Sequence, residues 1–402
     1  MSRLLVRDLA RVVTLGGQGP VRGEAMRQVN VLDDAFVLCV DGKIEQIGHM
    51  RHLGHVGEID ELDGRGLTAL PGLVDCHTHP AFGGDRVADF SLRAAGATYE
   101  ELHAAGGGIL STVTATRELG PEALEARVAA HAAWMLEHGT TTWEGKSGYG
   151  LDRDTELASL DAVRACGGLP TWLGAHAVPP GYDSPDAYLD FALGEVLPSA
   201  AGKALAADVF LERGAFDADR SRRYLEACRQ AGLALRLHGD QFTESGAIPL
   251  AIELGARSVD HLEATGPGGV AALGASDVTA VLLPASALFL ARPMPPGRAL
   301  VDAGAIVALA TDFNPGSAFT TSLPLVCTLA CTQLHLTPAE ALAAVTVNAA
   351  HVLGLSDRGR IAPGQRADLT LLDVPDWRYL AYRLAGDIVA TVVVEGAVAL
   401  RR

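Results

Sequence analysis

Five residues of this chain have the types and the spacing of a metal site. His77 and His79 stand two apart in Asp75-Cys-His-Thr-His79, and His238, His261 and Asp312 follow far downstream. Each closes a short run of apolar, β-branched residues. Residues two apart on an extended strand end face the same side, so His77 and His79 can offer two imidazoles to one ion. A third imidazole from another strand and a carboxylate from Asp312 complete a nitrogen and oxygen set suited to Zn(II) or Fe(II). An ion bound with one open position lowers the pKa of its water from about 15.7 towards about 7. Asp312 can then ligate with one oxygen and accept a proton with the other. His261 can polarise a carbonyl or stabilise an oxyanion. This is the chemistry of a hydrolase.

Such residues converge only if the elements that carry them do. The middle of the chain alternates strand and helix patterns. Strands are predicted at 72–76, 140–144, 170–176, 207–212, 234–238, 258–261, 279–284 and 306–312. The clearest helix spans 121–138, with Pro121 at its start, Leu124, Val128 and Met135 on one face and Gly139 after its end. Eight alternating units predict a (β/α)8 barrel, an α/β fold, which brings the ends of strands one, five, six and eight to one rim. An open doubly wound sheet would not. The segment 80–120 carries Gly83-Gly84, Gly96 and Gly106-Gly-Gly108 and predicts no long helix. Its length, with Arg86, Tyr99 and Ile109-Leu110, predicts an ordered segment covering the substrate.

The two chain ends differ from the middle and resemble each other. Asp41-Gly42 lies between two alternating runs, a strong hairpin signal. Residues 367–373 and 388–394 read as strands, with Glu395-Gly396 as a turn. The expectation is a small β-sandwich built from residues 1–66 and 355–402, with a barrel domain of residues 67–354 inserted into it.

Composition narrows the partners. The formal charge of −16 argues against a nucleic-acid partner. The N-terminal stretch Met-Ser-Arg-Leu-Leu-Val-Arg-Asp reads poorly as a signal peptide, and no apolar run reaches the ~18 residues of a membrane span. Cys39, Cys76, Cys166, Cys228, Cys327 and Cys331 form no Cys-x-x-Cys pair, which predicts free thiols in a reducing cytoplasm.

Seven motifs together resemble the imidazolonepropionase family, within the amidohydrolase superfamily. They are His77-Thr-His79, Gly83-Gly-Asp-Arg86, Gly106-Gly-Gly-Ile-Leu-Ser-Thr112, Lys146-Ser-Gly-Tyr-Gly150, Gly174-Ala-His176, Asp260-His261 and Thr311-Asp-Phe-Asn-Pro-Gly-Ser317. The resemblance runs from about residue 68 to 354, and the β-rich ends fit as well. His-x-His and Asp312 belong to the whole superfamily, whereas Lys146–Gly150 combined with Asp312–Ser317 is specific to this family. The resemblance implies hydrolysis of 4-imidazolone-5-propanoate to N-formimidoyl-L-glutamate in histidine degradation. It implies one zinc or iron ion held by His77, His79, His238 and Asp312, and it favours a homodimer. It implies substrate contacts from Arg86, Tyr149, His176, Gln241, Asn314, Gly316 and Ser317.

Those roles are chemically coherent. Arg86 can grip a propionate carboxylate with two parallel hydrogen bonds. Tyr149 and His176 can bond ring nitrogens or the tail, and the Asn314–Ser317 turn can present backbone N–H groups. The family carries Glu or Gln at position 241. Gln241 cannot act as a base, so it orients a ring or a water, and proton transfer falls to Asp312 and His261.

Other signals are set aside. Glu144-Gly-Lys-Ser-Gly lacks the earlier glycine of a phosphate-binding loop, since position 140 is Thr. Lys146 is read as a hydrogen-bonding residue rather than a carboxylated bridge between two metals, and His49, His52 and His55 as a surface group. Two alternatives stay open: another cyclic amidase or nucleobase-type deaminase of the superfamily, or a barrel that has lost catalysis and serves as a scaffold.

Overall fold

The computed structural model describes residues 2–96 and 107–402. Five strands open the chain: β1 (Arg3–Leu15), β2 (Val29–Val40), β3 (Lys43–His49), β4 (Asp60–Asp63) and β5 (Thr68–Pro71). Eight follow through the middle: β6 (Leu73–Asp75), β7 (Thr140–Lys146), β8 (Leu169–Ala175), β9 (Ala206–Leu211), β10 (Ala234–Gly239), β11 (Ser258–His261), β12 (Thr279–Leu282) and β13 (Val307–Leu309). Three end it: β14 (Leu369–Leu372), β15 (Val389–Val394) and β16 (Ala397–Arg401).

Strands β6 to β13 pair in sequence order, each parallel to the next, and form the barrel. Each is buried on both faces because helices cover the outside and side chains fill the inside. Closure between β6 and β13 occurs beyond the strand ends. Thr78 bridges to Phe313 in parallel, with Asp312 N–H donating to the His77 carbonyl at 3.0 Å and His79 N–H to the Phe313 carbonyl at 2.8 Å. The segment carrying the first two histidines is thereby tied to the one carrying Asp312.

The chain ends form one hydrogen-bonded sheet of eight strands, in the order β16-β15-β14-β5-β1-β2-β3 with β4 also on β1. The expected sandwich is thus a continuous mixed sheet, and β5 belongs to it. Its core draws Leu4, Val6, Val37 and Ile44 from one end and Ile361, Leu369, Leu371 and Val393 from the other. Asp41-Gly42 and Glu395-Gly396 form its two tight turns. All four residues have positive φ, which a two-residue hairpin with the strand twist requires.

The helix predicted at 121–138 spans Pro121–Glu137. The segment 80–120 departs from expectation. It holds helices at Val87–Ala94 and Ile109–Leu119, the second starting after Gly108 at φ 92°. The glycines mark helix ends rather than the absence of helix. Tyr99 lies outside the described residues. All six cysteines are free, four of them buried.

Candidate active site

The rim after the carboxyl ends of the barrel strands gathers the expected ligands. His238 and His261 end β10 and β11, whereas His77, His79 and Asp312 lie just past β6 and β13. His79 Nε2 stands 3.3 Å from His77 Nε2 and 3.4 Å from His238 Nε2. Asp312 Oδ1 is 3.5 Å from His77 Nε2 and 3.4 Å from His79 Nε2. Donors at ~2.0–2.2 Å around one ion would be separated by about this much. His77, His79 and Asp312 lie mutually within the range of ligands to one ion. His261 also lies within ligand range of His77 and His238.

The other ring nitrogens explain why these atoms converge. His77 Nδ1 lies 2.6 Å from Asp260 Oδ2 and His238 Nδ1 lies 3.0 Å from Asp208 Oδ1. An ionised carboxylate only accepts, so each Nδ1 carries the proton and each Nε2 offers its lone pair to the site. Burial holds the His77 pKa well below its ordinary value and brings that of His238 down to about 4 despite Asp208. Both imidazoles are neutral and ready to ligate near neutral pH. Burial alone would raise the Asp312 pKa, but the hydrogen bond with His79 and the other histidines around it bring it down to about 2.

Beneath the histidines lies a buried set of ions that the sequence reading did not assemble. Lys146 Nζ is 2.7 Å from Asp208 Oδ2 and 2.8 Å from Glu144 Oε1. Arg236 bonds Glu144 Oε1 at 2.6 Å and the Cys76 carbonyl at 2.5 Å, and sits 3.6 Å from Asp260. Lys146 is fully buried and held by carboxylates, as a hydrogen-bonding residue would be. The available signal was period two: Glu144-x-Lys146 and Arg236-x-His238 each put two polar side chains on one face of a strand. Their partners come from other strands, and that no pattern within one strand reveals.

The predicted substrate residues surround the ligands. The ring of His176 stacks on His79 at 5.7 Å and meets Tyr149 at 5.3 Å, and its Nδ1 donates to the Gly148 carbonyl at 2.9 Å. Burial and the neighbouring His79 and His238 lower the His176 pKa to about 3. Gln241 is buried two residues beyond β10. His261 Nδ1 faces Glu263 Oε1 at 3.5 Å; burial opposes its protonation, yet Glu263 raises its pKa overall. His261, Asp240 and Asp312 all have positive φ. Such strain outside glycine is common where a site fixes a side chain.

At the turn after β13 the outcome differs from expectation. The Gly316 and Ser317 N–H groups both donate to Asn314 Oδ1, at 2.8 and 2.7 Å. Asn314 Nδ2 donates to the Asp312 carbonyl and to Ser317 Oγ, and Ser317 Oγ donates to Asp312 Oδ2 at 3.3 Å. These backbone donors are thus engaged inside the turn, because the Asn314 side chain caps it. Arg86 stands beside this turn: a Cβ on Gly316 would lie 3.8 Å from Arg86 Nη1. Arg86 Nε pairs with Asp89, and Nη1 donates to Thr112 Oγ1 at 3.3 Å.

A family model described as "Amidohydrolase family" matches residues 93–400. An imidazolonepropionase of Rubrobacter xylanophilus is 57% identical over 98% of both chains. One from Deinococcus deserti is 46% identical over 98% of both. This chain belongs to the imidazolonepropionase family of amidohydrolases. Solved structures agree on the fold. Guanine deaminase of E. coli matches with TM-score 0.75 at 16% identity, covering 100% of both chains. An atrazine chlorohydrolase from Arthrobacter aurescens TC1, in complex with zinc and atraton, matches with TM-score 0.71 at 20% identity, covering 99% of this chain and 95% of that one. As a member of this family the chain is a hydrolase, and the His and Asp groups on its barrel rim can bind metal.

Proposed function

We propose that this chain hydrolyses 4-imidazolone-5-propanoate to N-formimidoyl-L-glutamate, in histidine degradation. One observation carries the reading beyond family membership. His79 Nε2 lies 3.3–3.4 Å from His77 Nε2, His238 Nε2 and Asp312 Oδ1, with Tyr149 and His176 beside them and Arg86 at the mouth.

His77, His79, His238 and Asp312 would hold one ion, zinc or iron. When bound, the ion supplies Lewis-acid activation of water and of the ring carbonyl. Water adds to the carbonyl carbon, the ring carbon–nitrogen bond breaks, and the carbon remains in the product as a carboxylate. The departing nitrogen takes a proton and becomes the formimidoyl terminus. Asp312 Oδ2, facing Ser317 Oγ, is the atom that takes the proton from water and delivers it to that nitrogen. His261, held toward its protonated form by Glu263, donates to the oxygen on which negative charge develops. Gln241 orients ring or water by hydrogen bonding. Tyr149 and His176 wall the ring, the Asn314–Ser317 turn fixes Asp312, and Arg86 binds the propionate.

Residues 1–66 with 355–402, and residues 67–354, are read as the two units. The enzyme is read as a cytoplasmic homodimer; no helix among the described residues is long and apolar enough to cross a membrane. The deciding experiment is hydrolysis of freshly generated 4-imidazolone-5-propanoate with metal analysis on the same sample. Turnover lost on chelation and restored by one metal equivalent is the expected result. A metal-loaded protein inert towards this substrate would overturn the assignment.

A further inference from the structure

The helix Val87–Ala94 begins at Arg86 and carries a second guanidinium, Arg93, in its last turn. Arg93 reaches the same residue as Arg86: its Nη2 donates to the Gly316 carbonyl at 3.1 Å, while Arg86 Nη1 lies 3.8 Å from where a Cβ on Gly316 would stand. Arg93 also stands 5.1 Å from the centre of the Phe289 ring, which stacks on Phe90 of the same helix. Helix, turn and Phe289 therefore hold Arg93 in place. The nearby carboxylate of Asp89 pairs with Arg86 Nε and accepts from the Gly108 N–H, and it makes no ion pair with Arg93. Among the described residues Arg93 has no carboxylate within 4.0 Å. The pair carries an excess positive charge at a half-buried site, and a guanidinium there gains most from an anion that it can meet with a planar pair of donors.

We propose that Arg93 is a second carboxylate-binding residue, which acts with Arg86 to select substrates that end in an anionic tail. This rests on the reading that Arg86 binds the substrate propionate. Burial and the charge of Arg86 both press on the Arg93 cation, a cost that a bound carboxylate relieves.

The test compares Arg93→Gln and Arg86→Gln in the metal-loaded full-length enzyme. KM is measured for 4-imidazolone-5-propanoate, and inhibition constants for imidazole-4-propionate and for neutral 4-methylimidazole. For Arg93→Gln the expected result is about a tenfold rise in KM and in the imidazole-4-propionate constant. kcat should stay within about twofold and the 4-methylimidazole constant should not change. Arg93→Lys, which keeps the charge, should recover part of the loss. Unchanged KM in Arg93→Gln beside a raised KM in Arg86→Gln would overturn the role of Arg93 and leave the carboxylate reading intact. Unchanged KM in both would overturn the carboxylate reading itself. Equal weakening of the charged and neutral inhibitors would reduce Arg93 to a structural tie and also sink the proposal.

Discussion

The floor and the mouth of the site are built on opposite terms. Below the histidines, Lys146, Arg236, Glu144, Asp208 and Asp260 are fully buried and sit on four regular strands. Each cation meets carboxylates at 2.6–2.8 Å. At the mouth, Arg86 and Arg93 ride a short helix; Arg86 pairs with Asp89, whereas Arg93 meets only the Gly316 carbonyl of the turn and no carboxylate among the described residues. A buried ion without its partner costs several kcal/mol, whereas a half-exposed one costs little. The floor thus fixes where the Nε2 atoms point, and folding depends on it. The mouth is free to answer to a ligand. Chemistry is held by what cannot move, and selection by what is not yet neutralised.

That contrast can be broken by substitution. The largest effect on activity is expected from Asp312→Ala, which takes away the group proposed both to ligate the ion and to accept the proton. Hydrolysis should fall by about 10³-fold or more while circular dichroism keeps the native spectrum. Full activity would sink the proposed mechanism. Arg236→Met leaves Glu144 and Asp260 buried beside a lone Lys146, so urea unfolding should report a loss of about 3–5 kcal/mol. A stability equal to that of the parent chain would erase the distinction between floor and mouth. Arg86→Ala should do the reverse, keeping stability but weakening substrate by about 2–4 kcal/mol, read as KM. An unchanged Michaelis constant would remove the carboxylate assignment.

The smallest effect is a control away from both regions. Glu340 accepts from Arg298 and Arg27 and from the Thr337 backbone; burial opposes its ionisation, yet these bonds bring its pKa down to about 2. A depressed folded pKa contributes stability above the unfolded value near ~4.3, which is lost as pH falls through about 2. Glu340→Gln should therefore be less stable than the parent at pH 7, with the gap closing between about pH 4 and pH 2. A gap independent of pH would assign the loss to the capping box that Glu340 forms with Thr337.

The barrel, the chain-end strands and the histidines and aspartate that gather on one rim were legible in the sequence because each rests on a local pattern. Alternating strands and helices mark the units, Asp41-Gly42 and Glu395-Gly396 mark the hairpins, and a histidine or aspartate follows an apolar run at each site position. The helices at Val87–Ala94 and Ile109–Leu119 were not legible, because their flanking glycines read as loop. The engaged N–H groups of Gly316 and Ser317 were hidden as well, since only the folded turn brings Asn314 Oδ1 to them.

What the sequence determined by itself was which residues could ligate, cut and select, since residue type and local period carry that information. What only the tertiary structure decided was how they are aimed. His77 takes its orientation from Asp260, 183 residues away, and His238 takes its own from Asp208, 30 away on the neighbouring strand. Barrel closure sets those distances, and no pattern within a single strand encodes which strand lies next to it.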